Sequence, residues 1–191
     1  MNTEVEIRSF ISRNQYNELL KFFKKEGKFV NEDYQETYYF DSKEDLRIQR
    51  NKFFSKIWLK KGKIHDDHRE EIEIKFDREQ FKDLERLFLS LGFGVEIKWF
   101  RKRYTFKWQG LEAMVDYTKG YGYILELEKV CPKEGKEKAL KMLKQKLKTL
   151  NIPLTPREEF DKKYEYYRKN WRKLIRQPLT HKGGINLREY E

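Results

Sequence analysis

Two stretches of this chain alternate apolar and charged residues at every second position, a period that only an extended strand satisfies and that gives the strand two unlike faces. Thr3 to Phe10 sets Glu4, Glu6 and Arg8 against Val5, Ile7 and Ser9. Arg69 to Phe76 repeats the pattern, with Arg69, Glu71, Glu73 and Lys75 opposite Ile72, Ile74 and Phe76. After each strand comes an amphipathic helix. The first is expected over 12–26, capped by Ser12, striped by Tyr16, Leu19, Leu20 and Phe23, and ended near Gly27. The second is expected over 78–91, with Phe81, Leu84, Leu87, Phe88 and Leu91 as its stripe and Gly92 as its stop.

Further strands are expected at 34–40, 45–50, 54–61, 96–108, 111–117 and 123–129. About eight strands suffice to close a barrel around a ligand-sized interior. The expected fold is therefore α+β: a closed eight-stranded antiparallel β-barrel with helices packed outside. Two more helices, 134–149 and 157–175, are separated by a breaker at Asn151, Ile152 and Pro153. Residues 1–176 read as a single domain, and 177–191, with Pro178, Gly183, Gly184 and no periodicity, as a loosely ordered tail.

The charged strand faces carry the functional argument. Val5, Ile7, Ile72, Ile74, Ala113, Val115, Leu125 and Leu127 can pack beneath helices, which leaves Glu4, Glu6, Glu71, Glu73, Asp116, Glu126 and Glu128 on the opposite face. Crowded carboxylates in a confined site imply bound metal, bound basic side chains, or both. Arg8, Arg47, Lys56 or Lys60, Arg69, Lys75, Arg101 and Arg103 have matching parity and are natural ligands for phosphate oxygens. In 96–108 the parity conflicts. Ile97 and Trp99 read as outward with Lys98 inward, whereas Phe100, Tyr104 and Phe106 require the opposite, so either a bulge intervenes or Lys98 faces out.

A net charge of +11 with 39% charged residues favours an anionic partner without choosing among nucleic acid, membrane surface and small polyanion. The lone Cys131 excludes an internal disulfide and a multi-thiolate metal site. With no signal-like segment near Met1 and no run near the ~18 apolar residues of a membrane span, a soluble cytoplasmic protein without a membrane partner is expected, as monomer or homodimer.

Glu4-Val-Glu-Ile-Arg8 resembles the ExExK signature of the CYTH superfamily, the triphosphate tunnel metalloenzymes that include class IV adenylate cyclases, thiamine triphosphatases and inorganic triphosphatases. Colinear matches follow: Tyr34 to Asp41 resembles the second strand, Leu46-Arg-Ile-Gln-Arg50 the LRIR segment, and Ile57 to Gly62 the segment that supplies a tunnel lysine. Arg69 with Glu71 and Glu73 resembles the R-x-E-x-E strand, Leu91 to Phe93 the LGF turn, and Lys98 to Arg103 the basic strand. Val115-Asp116 and Ile124 to Glu128 resemble the closing strands, and Tyr164 to Tyr167 the C-terminal helix.

The resemblance implies that Glu4, Glu6, Glu126 and Glu128, with Asp116 and Glu73, hold one or two Mg²⁺ or Mn²⁺ ions. It implies that Arg8, Arg47, Lys60, Arg69, Lys75, Arg101 and Arg103 bind the triphosphate, with Arg8 and Lys60 catalytic, and that water attacks the terminal phosphorus. The substrate class is inorganic triphosphate or an organic triphosphate such as thiamine triphosphate or a nucleotide. Two positions depart from the pattern: Arg8 replaces Lys, and Gln49 replaces the second Arg of LRIR. The tunnel lysine is Lys60 by parity or Lys61 by adjacency to Gly62.

A class IV-type cyclase making cyclic AMP would use nearly the same residues. A non-catalytic polyphosphate or nucleotide sensor fits the two substitutions. An RNA 5′-triphosphate would use the basic residues of the C-terminal helices, among them Lys141, Lys144, Lys148, Lys169 and Arg172, although a solvated basic face is the commoner reading. His65 and His68 beside Asp66 and Asp67 read as a solvated loop rather than a metal site. Cys131 reads as a packed thiol, and Trp58 either as packing or as a platform for a ring.

Overall fold

The computed structural model describes residues 2–61 and 71–176. The strands are β1 (Asn2–Ile11), β2 (Lys28–Phe40), β3 (Asp45–Arg50), β4 (Ser55–Lys60), β5 (Glu71–Phe76), β6 (Val95–Trp108), β7 (Leu111–Thr118) and β8 (Gly122–Pro132). The helices are α1 (Arg13–Glu26), α2 (Phe81–Ser90), α3 (Lys136–Thr149) and α4 (Arg157–Leu174). Among the described residues the strands form one eight-stranded antiparallel sheet in the order β1-β8-β7-β6-β2-β3-β4-β5.

The chain divides into two compact units. The first comprises Met1–Glu32, Arg103–Tyr117 and Gly122–Phe160. In it, α1 starts where Ser12 accepts from the Gln15 N–H at 3.2 Å while its own N–H donates to Gln15 Oε1 at 2.8 Å, a reciprocal cap that satisfies two orphan donors. The buried stripe Tyr16, Leu19 and Phe23 packs inward, and Phe23 stacks on Phe106 with centroids 5.5 Å apart. The helix ends at Gly27, where a Cβ would lie 3.0 Å from the Phe23 carbonyl oxygen and 3.2 Å from that of Lys107, too close for comfort. Helix α3 packs its buried Ala139, Leu143 and Leu147 against β1 and β8. The hydroxyl of Thr155 accepts from the Phe10 N–H at 2.9 Å and ties the segment before α4 to β1.

The second unit comprises Asp33–Lys102, Thr118–Tyr121 and Asp161–Glu191. Its core gathers Tyr38, Phe40, Leu46 and Ile48 from β2 and β3 under Phe81, Leu84 and Phe88 of α2. The apolar alternation of those strands thus faces α2 and leaves the charged alternation on the other side. From α4, the Tyr167 hydroxyl donates to the Lys98 carbonyl at 2.9 Å and the Trp171 indole to that of Glu96 at 2.7 Å.

Strand β6 is one continuous strand through its charged stretch. Lys98 reaches Glu85 of α2 at 3.1 Å and lies 3.8 Å over the Tyr38 ring, so it faces α2. Trp99, expected outward, shares the face of Arg101 instead and packs on Tyr39, Tyr121 and Tyr167. Its apolar surface is covered by Tyr39 of β2, Tyr121 of the β7–β8 turn and Tyr167 of α4. Among the described residues no helix is long and apolar enough to cross a membrane.

Candidate functional site

In the first unit the β1–β8 register sets Glu6 opposite Glu128 and Arg8 opposite Glu126, so alternation gathers their side chains on one face above buried Ile7, Leu125 and Leu127. One carboxylate oxygen from each of Glu6, Glu126 and Glu128 lies within 4.8 Å of the other two. Burial, and then the negative charges of Glu4, Glu126, Glu112 and Glu6, push the Glu128 carboxyl up to about 7. Arg8 sits 3.0 Å from Glu6 and holds its guanidinium 5.8 Å over the Phe160 ring.

From β6, Arg103 binds Asp116 of β7 through two nitrogens, Nε to Oδ1 at 2.9 Å and Nη2 to Oδ2 at 2.7 Å, and adds Nη2 to Glu126 Oε2 at 2.8 Å. Burial alone would lower the Arg103 pKa, but the two carboxylates raise it above its ordinary value. Arg103 therefore answers Asp116 and Glu126, while Glu128 keeps an excess of negative charge. Convergent oxygen donors under like-charge repulsion fit a hard divalent cation such as Mg²⁺ or Mn²⁺.

In the second unit the β3–β4–β5 register aligns Asp45, Arg47 and Gln49 with Lys60, Trp58 and Lys56, and these with Glu71, Glu73 and Lys75. Arg47 is clasped by both oxygens of Asp45 and lies 4.3 Å over the Tyr39 ring. Burial would lower its pKa; the neighbouring Tyr39 and Asp45 raise it. Lys56 reaches Glu73 at 2.7 Å, and Lys60 binds Glu71. The two ammoniums lie 3.8 and 3.7 Å from the Trp58 ring centroid, and the indole N–H donates to Glu71 at 2.9 Å. Burial would raise the Glu73 carboxyl, yet Lys56 and Lys75 hold it below its ordinary value. Arg101 donates to Gln35 at 2.8 Å.

The structure thus brings Glu4, Glu6, Arg8, Arg103, Asp116, Glu126 and Glu128 into the first unit, and Arg47, Lys60, Glu73, Lys75 and Arg101 into the second. Arg69 and the His65 to His68 cluster lie outside the described residues. Lys60 shares the charged face, whereas Lys61 follows the last residue of β4. Gln49 donates to Thr37 at 2.9 Å, a neutral cross-strand pair where a second arginine was expected. Cys131 is buried. Reading the sequence missed Glu112, which shares the parity of Asp116, and Asp45, which shares that of Arg47; parity was the available signal in both cases.

The CYTH domain family matches residues 2–164. A Methanocaldococcus jannaschii protein named as a candidate adenylate cyclase is 35% identical over 165 residues, 78% of this chain and 90% of its own length. A conserved hypothetical protein from Pyrococcus furiosus has a similar fold, with a TM-score of 0.68 at 23% identity over 81% of this chain and 96% of its own. A Hippeastrum protein described as having a dominant triphosphatase activity superposes with a TM-score of 0.63 at 19% identity, covering 95% of this chain and 100% of its own.

Proposed function

Because the chain belongs to the CYTH family, we propose that it is a divalent-metal-dependent enzyme that hydrolyses a triphosphate inside a closed eight-stranded β-barrel. The observation that carries this reading is the convergence of the Glu6, Glu126 and Glu128 oxygens within 4.8 Å. Mg²⁺ or Mn²⁺ held there, with Glu4 beside it, would offset the crowded carboxylates and polarise phosphoryl oxygens. Asp116 serves by holding Arg103 in place.

Arg47, Lys60, Lys75 and Arg101 bind phosphate oxygens in this reading, together with Arg8 and Arg103. The clasp of Asp45 occupies Nε and Nη2 of Arg47 and leaves Nη1 to donate. Lys56 and Lys60 exchange Glu73 and Glu71 for phosphate oxygens as the substrate enters. A water oxygen forms the new bond to the terminal phosphorus, the bond to the bridging oxygen breaks, and diphosphate leaves with the charge spread over the cationic groups. Arg8 and Lys60 are the cations assigned to the transferring phosphoryl group.

The cyclase reading is kept because the M. jannaschii relative carries that name. Phosphate release from inorganic triphosphate, thiamine triphosphate and ATP with Mg²⁺ or Mn²⁺, beside a cyclic AMP assay and the Glu4→Gln, Glu6→Gln double variant, separates the readings. Orthophosphate release that the variant abolishes supports hydrolysis. Cyclic AMP without orthophosphate moves the assignment to cyclase, and no turnover with any substrate overturns both.

A further inference from the structure

Helix α3 differs from the other helices in what its outer face carries. It holds six lysines against one glutamate in fourteen residues, which is +5 of the chain's net +11. Its buried Ala139, Leu143 and Leu147 pack on β1 and β8, and the helical period then turns Lys138, Lys141, Lys144 and Lys148 to solvent. Among the described residues none of these four ammoniums makes a hydrogen bond or an ion pair, and neither does the carboxylate of Glu137.

A solvated helix face ordinarily mixes charges of both signs, and two other helices of this chain do so at the i,i+3 spacing. On α2, Lys82 meets Glu85 at 3.2 Å and Arg86 meets Asp83 at 3.2 Å; on α4, Arg168 meets Glu165 at 2.7 Å. On α3 the same spacings set lysine beside lysine: Lys138 with Lys141, Lys141 with Lys144, and Lys144 with Lys148. Like charges at these spacings repel and work against the helix that carries them, so helix stability does not account for the stripe.

The four lysines are spread along about 15 Å of helix axis at 1.5 Å per residue. One strand of a nucleic-acid duplex presents a phosphate about every 3.4 Å of its axis, so that length faces about four phosphates. Lysine is a compact charge on a mobile stem, which suits backbone phosphates, and α3 has no arginine for a bidentate contact with a guanine edge. A lipid surface fits less well. The buried apolar residues of α3 are spent on β1 and β8, and none of the large apolar side chains exposed among the described residues lies on it. We propose that the lysine face of α3 binds the phosphate backbone of a nucleic-acid duplex without regard to sequence. None of the four lysines belongs to the carboxylate cluster or to the cationic strand face, so the proposal stands apart from the triphosphate reading.

The test is fluorescence anisotropy of a labelled mixed-sequence DNA duplex with the full chain in EDTA, over a series of salt concentrations. Wild type is compared with a fourfold variant of α3 (Lys138→Gln, Lys141→Gln, Lys144→Gln, Lys148→Gln). A fourfold variant of α4 (Lys162→Gln, Lys169→Gln, Arg172→Gln, Lys173→Gln) removes the same charge from another exposed helix face. Wild-type log affinity should fall against log salt with a slope of about −3 to −4, the signature of about four phosphate contacts. The α3 variant should bind roughly tenfold or more weakly at about 0.1 M salt, and the α4 variant within about threefold of wild type. Lys141→Gln alone should reduce the slope by about one, a readout that does not depend on how the fourfold variant folds. Equal weakening in both fourfold variants would show attraction to net charge rather than a located surface, and would overturn the proposal. Wild type that binds no duplex overturns it too, and α3-dependent binding to phosphatidylserine–phosphatidylcholine vesicles in that case would give the face to a lipid surface instead.

Discussion

Glu128→Gln isolates the repulsion in the carboxylate cluster. A carboxyl displaced from its ordinary 4.5 to about 7 corresponds to about 3 kcal/mol against the ionised form at alkaline pH. Glu128 is only half-buried and water screens part of that, so about 1–2 kcal/mol is the working figure. The sign follows from linkage: the folded state holds this proton more tightly than the unfolded one. Its contribution to stability is greatest below the ordinary carboxyl pKa, declines as pH rises and levels off above about 7. Gln mimics the protonated form at every pH. In EDTA the variant should therefore be more stable than wild type by about 1–2 kcal/mol at pH 8, roughly 2–6 °C in melting temperature for a chain of this size. Most of the advantage should be gone by pH 5. Adding Mn²⁺ at pH 8 should reverse the order, since the ion stabilises wild type and finds one oxygen ligand fewer in the variant. A variant no more stable than wild type at pH 8 in EDTA, or one that gains as much from Mn²⁺, would refute the reasoning.

Arg103→Met leaves Asp116 and Glu126 buried without their cation, and urea unfolding should show a loss of about 3–5 kcal/mol. Lys60→Met should lower phosphate release by about 100-fold or more, whereas Lys61→Met should stay within about twofold of wild type; equal losses would show that strand parity chose the wrong lysine. Gly120→Ala meets both a left-handed backbone and the side chain of Leu174, and should cost about 1–3 kcal/mol in chemical denaturation.

The charged faces were legible because strand alternation is a local property. Once Glu4, Glu6 and Arg8 are placed on one side of β1, no tertiary information is needed to keep them together. Partner choice was not legible, because cross-strand register is set by strands far apart in sequence. That Arg103 serves Asp116 and Glu126, that Glu112 adds its charge to the field at Glu128, and that Asp45 rather than a ligand occupies two nitrogens of Arg47 all depend on which rungs face one another. The parity conflict in β6 had the same origin. Trp99 looks outward only if an apolar side chain on a charged face has nothing to cover it, and the cover comes from Tyr39, Tyr121 and Tyr167, all distant in sequence. Lys98 looks inward only until Glu85 of α2 is placed beside it.

What distinguishes the site from the rest of a heavily charged molecule is charge left uncompensated after folding. Lys56 with Glu73, Lys60 with Glu71 and Arg103 with Asp116 and Glu126 are internally answered, and a net charge of +11 does not single them out. Glu128 in the first unit is instead surrounded by like charge. That repulsion raises the free energy of the ligand-free protein and would be relieved by a ligand of opposite sign. A divalent cation bound by oxygen ligands relieves it. The repulsion at Glu128 therefore points to a class of ligand more narrowly than the charged faces do.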